Sequence, residues 1–184
     1  MNILIIAAHP DDEVMGAGGV NNKHLRNKDK VFQLIMDGGR EDPIDQRFDT
    51  LPFRDFVTKI EQFIKIAKPE RVYTHYLGDL NKDHQIVSEA VRIACRPTKC
   101  DVKEVYGFDS TMSPLSLKTF NPNYYEALLK EDIDQKINQM KALYPNEMNL
   151  PYRTEEGIII TSKYWGMRMG VEYVEPFETI LNIG

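Results

Sequence analysis

Cysteine is scarce in this chain: only Cys95 and Cys100 in 184 residues. Two thiols cannot build a disulfide framework, and a four-thiolate zinc site is impossible. Free thiols are the expected state, which suits a reducing cytoplasm. Long basic runs are missing too. Lys and Arg number 23 against 28 Asp and Glu, for a net charge of −5. That balance argues against a nucleic-acid or membrane-surface binder, while a small anionic substrate held by one or two arginines stays open. No apolar run approaches the ~20 residues that span a bilayer. The first apolar run has no basic leader and ends in acids, so no signal peptide is expected. There is no internal repeat and no low-complexity segment.

What remains is an ordinary globular balance, 42 % apolar and 28 % charged. A chain of this length suits one domain, residues 1–184, with a real core. Its most informative stretch is the first, MNILIIAAHPDDEVMGAGG. Asn2 to Ala8 reads as a fully buried strand, and Pro10 stops it. His9, Asp11, Asp12 and Glu13 stand at the stop, ahead of Gly16, Gly18 and Gly19. Carboxylates at the end of a buried strand pack poorly unless paired. Helix capping accounts for Glu13 but not for the whole cluster. A cation removes the objection, because His9 and Asp12 across a tight turn can converge on one ion. The glycine spacing is not G-x-G-x-x-G, and the acids before it would repel a pyrophosphate.

Downstream, Val14 to about Lys28 reads as a helix, with His24 exposed on it. Val31 to Met36 reads as a second strand, followed by a polar loop at Asp37 to Asp42. Arg40 and Arg47 lie in or just after that loop and could hold substrate hydroxyls or an anionic group. A helix begins near Thr50-Leu51-Pro52 and carries Phe56, Ile60, Phe63 and Ile64 at core spacing. Arg71 to Tyr76 reads as a third strand, with His75 as a buried, hydrogen-bonded histidine. A second polar cluster, Gly78 to His84, then leads into a helix with Ile86, Val87, Ala90 and Val91. A fourth strand is expected at Glu104 to Asp109, loop at Ser110 to Pro122, a helix near Glu131 to Leu143, loop again to Gly157, and a helix around Thr161 to Met169. Val171 to Ile183 has no clear assignment. The alternation predicts an α/β fold with a mostly parallel sheet. Ligands in such sheets bind outside the carboxyl ends of the strands, where both clusters fall.

Two histidines and a carboxylate, His9, Asp12 and His84, would leave open positions on a metal, as a catalytic ion requires. The metal would acidify a bound water and polarise a carbonyl. Asp11 is the spare acid, placed to act as general base. Hydrolysis of an amide, ester or phosphate would fit, and the same triad suits non-haem iron.

Ala8-His9-Pro10-Asp11-Asp12-Glu13 with its glycines resembles the signature of the PIG-L / LmbE-like family of zinc-dependent de-N-acetylases. Arg47-Phe48-Asp49-Thr50 and Gly78-Asp79-Leu80-Asn81-Lys82-Asp83-His84 resemble a bacterial branch of it, as does, more weakly, the tail Trp165-Gly166 to Gly170-Val171-Glu172. The resemblance implies a Rossmann-like three-layer fold and removal of acetyl from an N-acetylated sugar. It places Zn2+ on His9, Asp12 and His84, with Fe2+ as the other candidate, and makes Asp11 the base. Many members carry a histidine three residues before the last ligand. Asn81 stands there, able to donate to an oxyanion but not to act as an acid. Asp83 is expected to orient a neighbouring group. The chain is short for the family, so its substrate pocket is expected to be simple or to be completed by another subunit. Competing readings are a phosphoester hydrolase, an iron oxygenase and a non-catalytic sugar-binding module. The oxygenase leaves Asp11 without a role, and a binding module has no need of a spare base.

Overall fold

The computed structural model describes residues 1–37 and 48–184. Among these, six strands form one sheet: β1 Asn2–Ala7, β2 Lys30–Ile35, β3 Arg71–His75, β4 Glu104–Phe108, β5 Tyr124–Leu128 and β6 Tyr173–Asn182. Five helices accompany it: α1 Asp12–Arg26, α2 Phe53–Ala67, α3 Lys82–Ala94, α4 Lys130–Leu143 and α5 Glu155–Met169. The strand order is β2-β1-β3-β4-β6-β5. β2, β1, β3 and β4 pair in parallel, whereas β6 runs antiparallel to both β4 and β5. The expected mixed α/β sheet is therefore parallel in its first four strands and antiparallel at one edge.

β1 is apolar throughout because both of its faces are covered. Leu4 and Ile6 face a core that includes Phe56, Ile60 and Ile64 of α2 and Val87 and Val91 of α3. Ile3 and Ile5 face a second core, with Val14 and Val20 of α1, Ile133 and Met140 of α4, and Ile158 of α5. The period-two alternation of one strand thus feeds two separate cores.

The last third departs most from the expectation. β5 falls where no element is predicted, and residues 173–182 form a ten-residue strand. Pro176 and the two acids Glu175 and Glu178 disguise that strand in the sequence, since proline within a run argues against pairing. α5 starts earlier than expected, at Glu155, because the Thr154 hydroxyl caps it by accepting from Gly157 N–H at 3.1 Å. It ends at Gly170, whose φ of 73° lies in the left-handed region that favours glycine.

α1 is broken at Ala17, where φ is −141° and ψ 18°. A buried ion pair splints the break. Glu175 accepts from Gly19 N–H at 2.8 Å and Val20 N–H at 2.7 Å, as an N-cap would. Lys136 Nζ donates to Met15 O and to Glu175 Oε1, both at 2.7 Å. A Cβ on Gly19 would stand 2.5 Å from Leu128 Cδ1 and 2.9 Å from the Glu175 carboxyl, so any larger residue would push on both side chains. Removing Glu175 would strand the Lys136 ammonium in the core. Glu175→Ala should therefore cost about 3–5 kcal/mol, read as a lowered denaturant midpoint. Asp134→Ala, which breaks the exposed Lys130–Asp134 pair, should leave the midpoint in place. Equal midpoints for the two variants would contradict this account.

Candidate metal centre and active site

The chain leaves β1 for β2 on one side and returns to β3 on the other, so the strand order reverses between β1 and β3. The crevice outside the carboxyl ends at such a reversal is where ligands of open α/β sheets sit. His9 lies two residues beyond β1, and Asp79 to His84 follow β3 into the first turn of α3. Both polar clusters of the sequence thus meet here.

Three donor atoms converge in the crevice. Asp12 Oδ2 is 3.4 Å from His9 Nδ1 and 3.1 Å from His84 Nε2, and the two ring nitrogens are 3.3 Å apart. Tetrahedral donors bound at 2.0–2.1 Å stand about 3.3–3.4 Å from one another. The triangle therefore has the dimensions of one face of such a site, and the residues fit a divalent ion. A second group, His75, Asp79 and His84, also brings donor atoms close. It suits an ion less well. The His75 and His84 rings are stacked, 3.9 Å between centroids and 20° between planes, so their in-plane lone pairs do not converge.

An outer shell aims the donors. His84 Nδ1 is 3.0 Å from Asp79 Oδ2, and His9 Nε2 is 3.0 Å from Asp83 Oδ2. Each carboxylate accepts a ring N–H, which leaves His84 Nε2 and His9 Nδ1 to face the crevice. Asp83 Oδ1 accepts from Phe48 N–H at 3.2 Å. Ser110 Oγ, just beyond β4, donates to Asp12 Oδ1 at 2.8 Å. His75, fully buried, accepts Ala8 N–H at Nε2 at 2.9 Å, and burial with the neighbouring His84 pushes its pKa down to about 3. It is a neutral packing partner of the centre.

Burial opposes protonation of His9 and His84, but hydrogen bonds to Asp12 and to the partner carboxylates outweigh it and raise both to about 9. Burial likewise opposes ionisation of Asp12, yet the surrounding imidazoles hold it well below the usual carboxylate range. Asp11 behaves differently. Burial first, then the Asp12 charge, push its carboxyl up to about 7 against the pull of Arg153. Its φ of 97° is a strained value for a non-glycine residue. Glu13 supports that backbone by accepting Asp11 N–H at 3.0 Å while also accepting the Tyr144 hydroxyl at 2.7 Å. Arg153, in a 3-10 turn before α5, pairs with Asp11 Oδ2 and with Glu147 Oε2 at 2.9 Å.

The donor atoms of His9, Asp12 and His84 lie together in the crevice, and Asp11 stands next to Asp12 in the chain. Asp83 lies behind His9 and not on the open side. Asn81 is the N-cap of α3, its side-chain oxygen accepting from Asp83 N–H at 2.8 Å. None of its hydrogen bonds among the described residues points to an oxyanion. Arg40 and Arg47 lie outside the described residues. His24 is not exposed as expected. It is buried between Asp29, 2.8 Å from Nδ1, and the Tyr73 hydroxyl, 3.2 Å from Nε2, on the helix face that meets the sheet. The sequence reading missed Asp79, Ser110 and Arg153. A carboxylate five residues before a candidate ligand was a usable signal for Asp79; Arg153, 142 residues from Asp11, carried none.

Metal uptake must displace protons from the imidazoles. It should release about one to two protons per ion at pH 7, measured by calorimetry in buffers of different ionisation heat; zero release would contradict the assignment. In the metal-free protein the same raised imidazoles stabilise the fold fully below their unfolded value of 6.5. That contribution is lost as pH rises through about 9.

No protein-family model matches the chain. A curated relative, the uncharacterized deacetylase YaiS of Escherichia coli K12, is 24 % identical over 170 residues, covering 76 % of this chain and 88 % of its own. Among solved structures, GalB, the 4-carboxy-2-hydroxymuconate hydratase of Pseudomonas putida KT2440, superposes with a TM-score of 0.76 at 16 % identity, over 100 % of this chain and 98 % of that one. The N,N'-diacetylchitobiose deacetylase of Pyrococcus horikoshii gives a TM-score of 0.68 at 16 % identity, over 97 % of this chain and 83 % of that one. The chain therefore shares its fold with both a hydratase and a deacetylase, and its curated relative carries the name of a deacetylase.

Proposed function

We propose that this protein is a metal-dependent hydrolase that removes the acetyl group from an N-acetylated amino sugar, giving acetate and a free amine. One observation carries the reading. A donor triangle of His9, Asp12 and His84 stands beside a buried carboxylate, Asp11, that is not part of it. A sugar-binding module needs no such spare base. The deacetylase names of the relatives support the choice of bond, and helices on both faces of the sheet support a Rossmann-like three-layer description.

A divalent ion on His9, Asp12 and His84, zinc in the first reading and ferrous iron in the second, would polarise the amide carbonyl and make water a better nucleophile. Asp11 takes the proton of the attacking water and returns it to the departing amine. Its carboxylate is steadied by Arg153 and its strained backbone by Glu13. Asp79 and Asp83 are positioning residues, each fixing one imidazole. Asn81 is assigned the oxyanion contact through its amide, and Arg40 and Arg47 the substrate hydroxyls. The assigned compartment is the cytoplasm, with a homo-oligomer as the form that would complete the pocket.

Hydration of a carbon–carbon double bond is the second reading, because the GalB hydratase shares the fold. Acetate release from N-acetylated sugars separates the two. Asp11→Asn should keep its metal and lose turnover by at least about a hundredfold, whereas His84→Ala should lose the metal itself. Turnover should also fall as pH drops through the Asp11 value. That value is about 7 without metal and lower beside a dication. Undiminished acetate release by Asp11→Asn would remove the base from the mechanism.

A further inference from the structure

The turn that leaves β4 reaches into the metal centre. Asp109 Oδ1 accepts Thr111 N–H at 3.1 Å and Met112 N–H at 2.9 Å, which folds the backbone tightly around Ser110. Ser110 is only 1 % exposed. Its hydroxyl lies between two acceptor-bearing groups, Asp12 Oδ1 at 2.8 Å and His75 Nδ1 at 3.5 Å.

His75 decides which way the hydroxyl points. Ala8 N–H donates to His75 Nε2 at 2.9 Å. Nε2 must then carry a lone pair, and the proton of the neutral ring sits on Nδ1. That proton faces Ser110 Oγ. The serine has no acceptor on the His75 side, so its own proton goes to Asp12 Oδ1. A backbone amide thus sets the direction of the whole chain, from Ala8 through His75 and Ser110 to Asp12. The same bond spends the one lone pair that His75 could offer a cation, although Nε2 is only 3.7 Å from Asp12 Oδ2.

Asp12 is gripped at both oxygens. Oδ1 accepts the Ser110 hydroxyl, and Oδ2 accepts His9 N–H at 3.1 Å. One donor on each oxygen fixes the plane of the carboxylate. Oδ2 is the oxygen turned toward His9 Nδ1 and His84 Nε2. A carboxylate without such a grip can swing to offer a cation both oxygens. The extra donor would take a position that a catalytic ion needs for water or a carbonyl.

We propose that Ser110, aligned by His75, is a positioning residue that confines Asp12 to a single metal bond through Oδ2. The inference rests on the metal-dependent reading of the site but not on which bond the enzyme breaks.

Co2+ is the probe, because its visible bands weaken as ligands are added and the site becomes more symmetric. The parent protein should bind Co2+ with intense bands. Ser110→Ala should still bind the ion but with weaker bands, as Asp12 adds its second oxygen. Its acetate release from N-acetylglucosamine should fall about tenfold. Ser110→Thr retains the hydroxyl and should retain the parent bands. His75→Phe keeps a ring against His84 but lacks the Nδ1–H, and should weaken the bands in the same direction. Melting temperatures show that each variant folds. A packing role alone would lower the melting temperature of Ser110→Ala and leave the bands of its bound ion unchanged. That result would overturn the proposal, as would unchanged bands in His75→Phe or loss of all Co2+ binding in Ser110→Ala. A parent protein that binds no Co2+ would overturn the metal reading and the proposal together. The expected band changes without acetate release would retain the positioning role and count against the deacetylase reading.

Discussion

The burial of Asp12 governs the rest of the structure. A carboxylate only 2 % exposed is tolerated only when its charge is met. Here His9 and His84 meet it at Oδ2, while Ser110 meets Oδ1. Those partners follow β1 and β4 directly, and in the case of His84 lie in the first turn of α3 after β3; the three strands are adjacent in the sheet. The charge of one side chain therefore ties together the carboxyl ends of half the sheet. The imidazoles in turn need Asp79 and Asp83 behind them, so the arrangement extends two layers outward. A dication on the crevice side would complete the neutralisation that the imidazoles supply without it.

A second buried charge pair solves a different problem. The helix that begins at Asp12 is broken at Ala17, and the buried peptide groups freed there need partners. Glu175 and Lys136 supply them from β6 and α4. The late elements of the chain thus hold in shape the helix that carries the first motif. Arg153, in the turn before α5, reaches the same end of that helix at Asp11. The C-terminal part of the chain serves the N-terminal site.

The sequence made the first half of this legible. An apolar run marked β1, β-branched and aromatic residues marked β3, and polar residues beyond their ends had no packing explanation, so His9, Asp12 and His84 could be named together. Asp83 was read as an orienting residue, and its carboxylate lies 3.0 Å from His9 Nε2. The rest depended on distances along the chain that no spacing rule covers. Ser110 reaches Asp12 across 98 residues and Arg153 reaches Asp11 across 142. β6 was hidden because Pro176 and its acids interrupt the apolar pattern, although the strand pairs on both sides, with β4 and with β5. His24 was misplaced because a polar helix sequence gives no sign that one histidine bridges Asp29 and Tyr73 beneath it. Asn81 caps α3 through its side-chain oxygen, a contact that the resemblance did not announce.

The central claim is that one divalent ion sits on the crevice side of His9, Asp12 and His84. Anomalous diffraction at the zinc edge from zinc-soaked crystals tests it directly. The account predicts a single strong peak bonded to His9 Nδ1, Asp12 Oδ2 and His84 Nε2. A peak among His75, Asp79 and His84 instead, or no peak at either place, would contradict it.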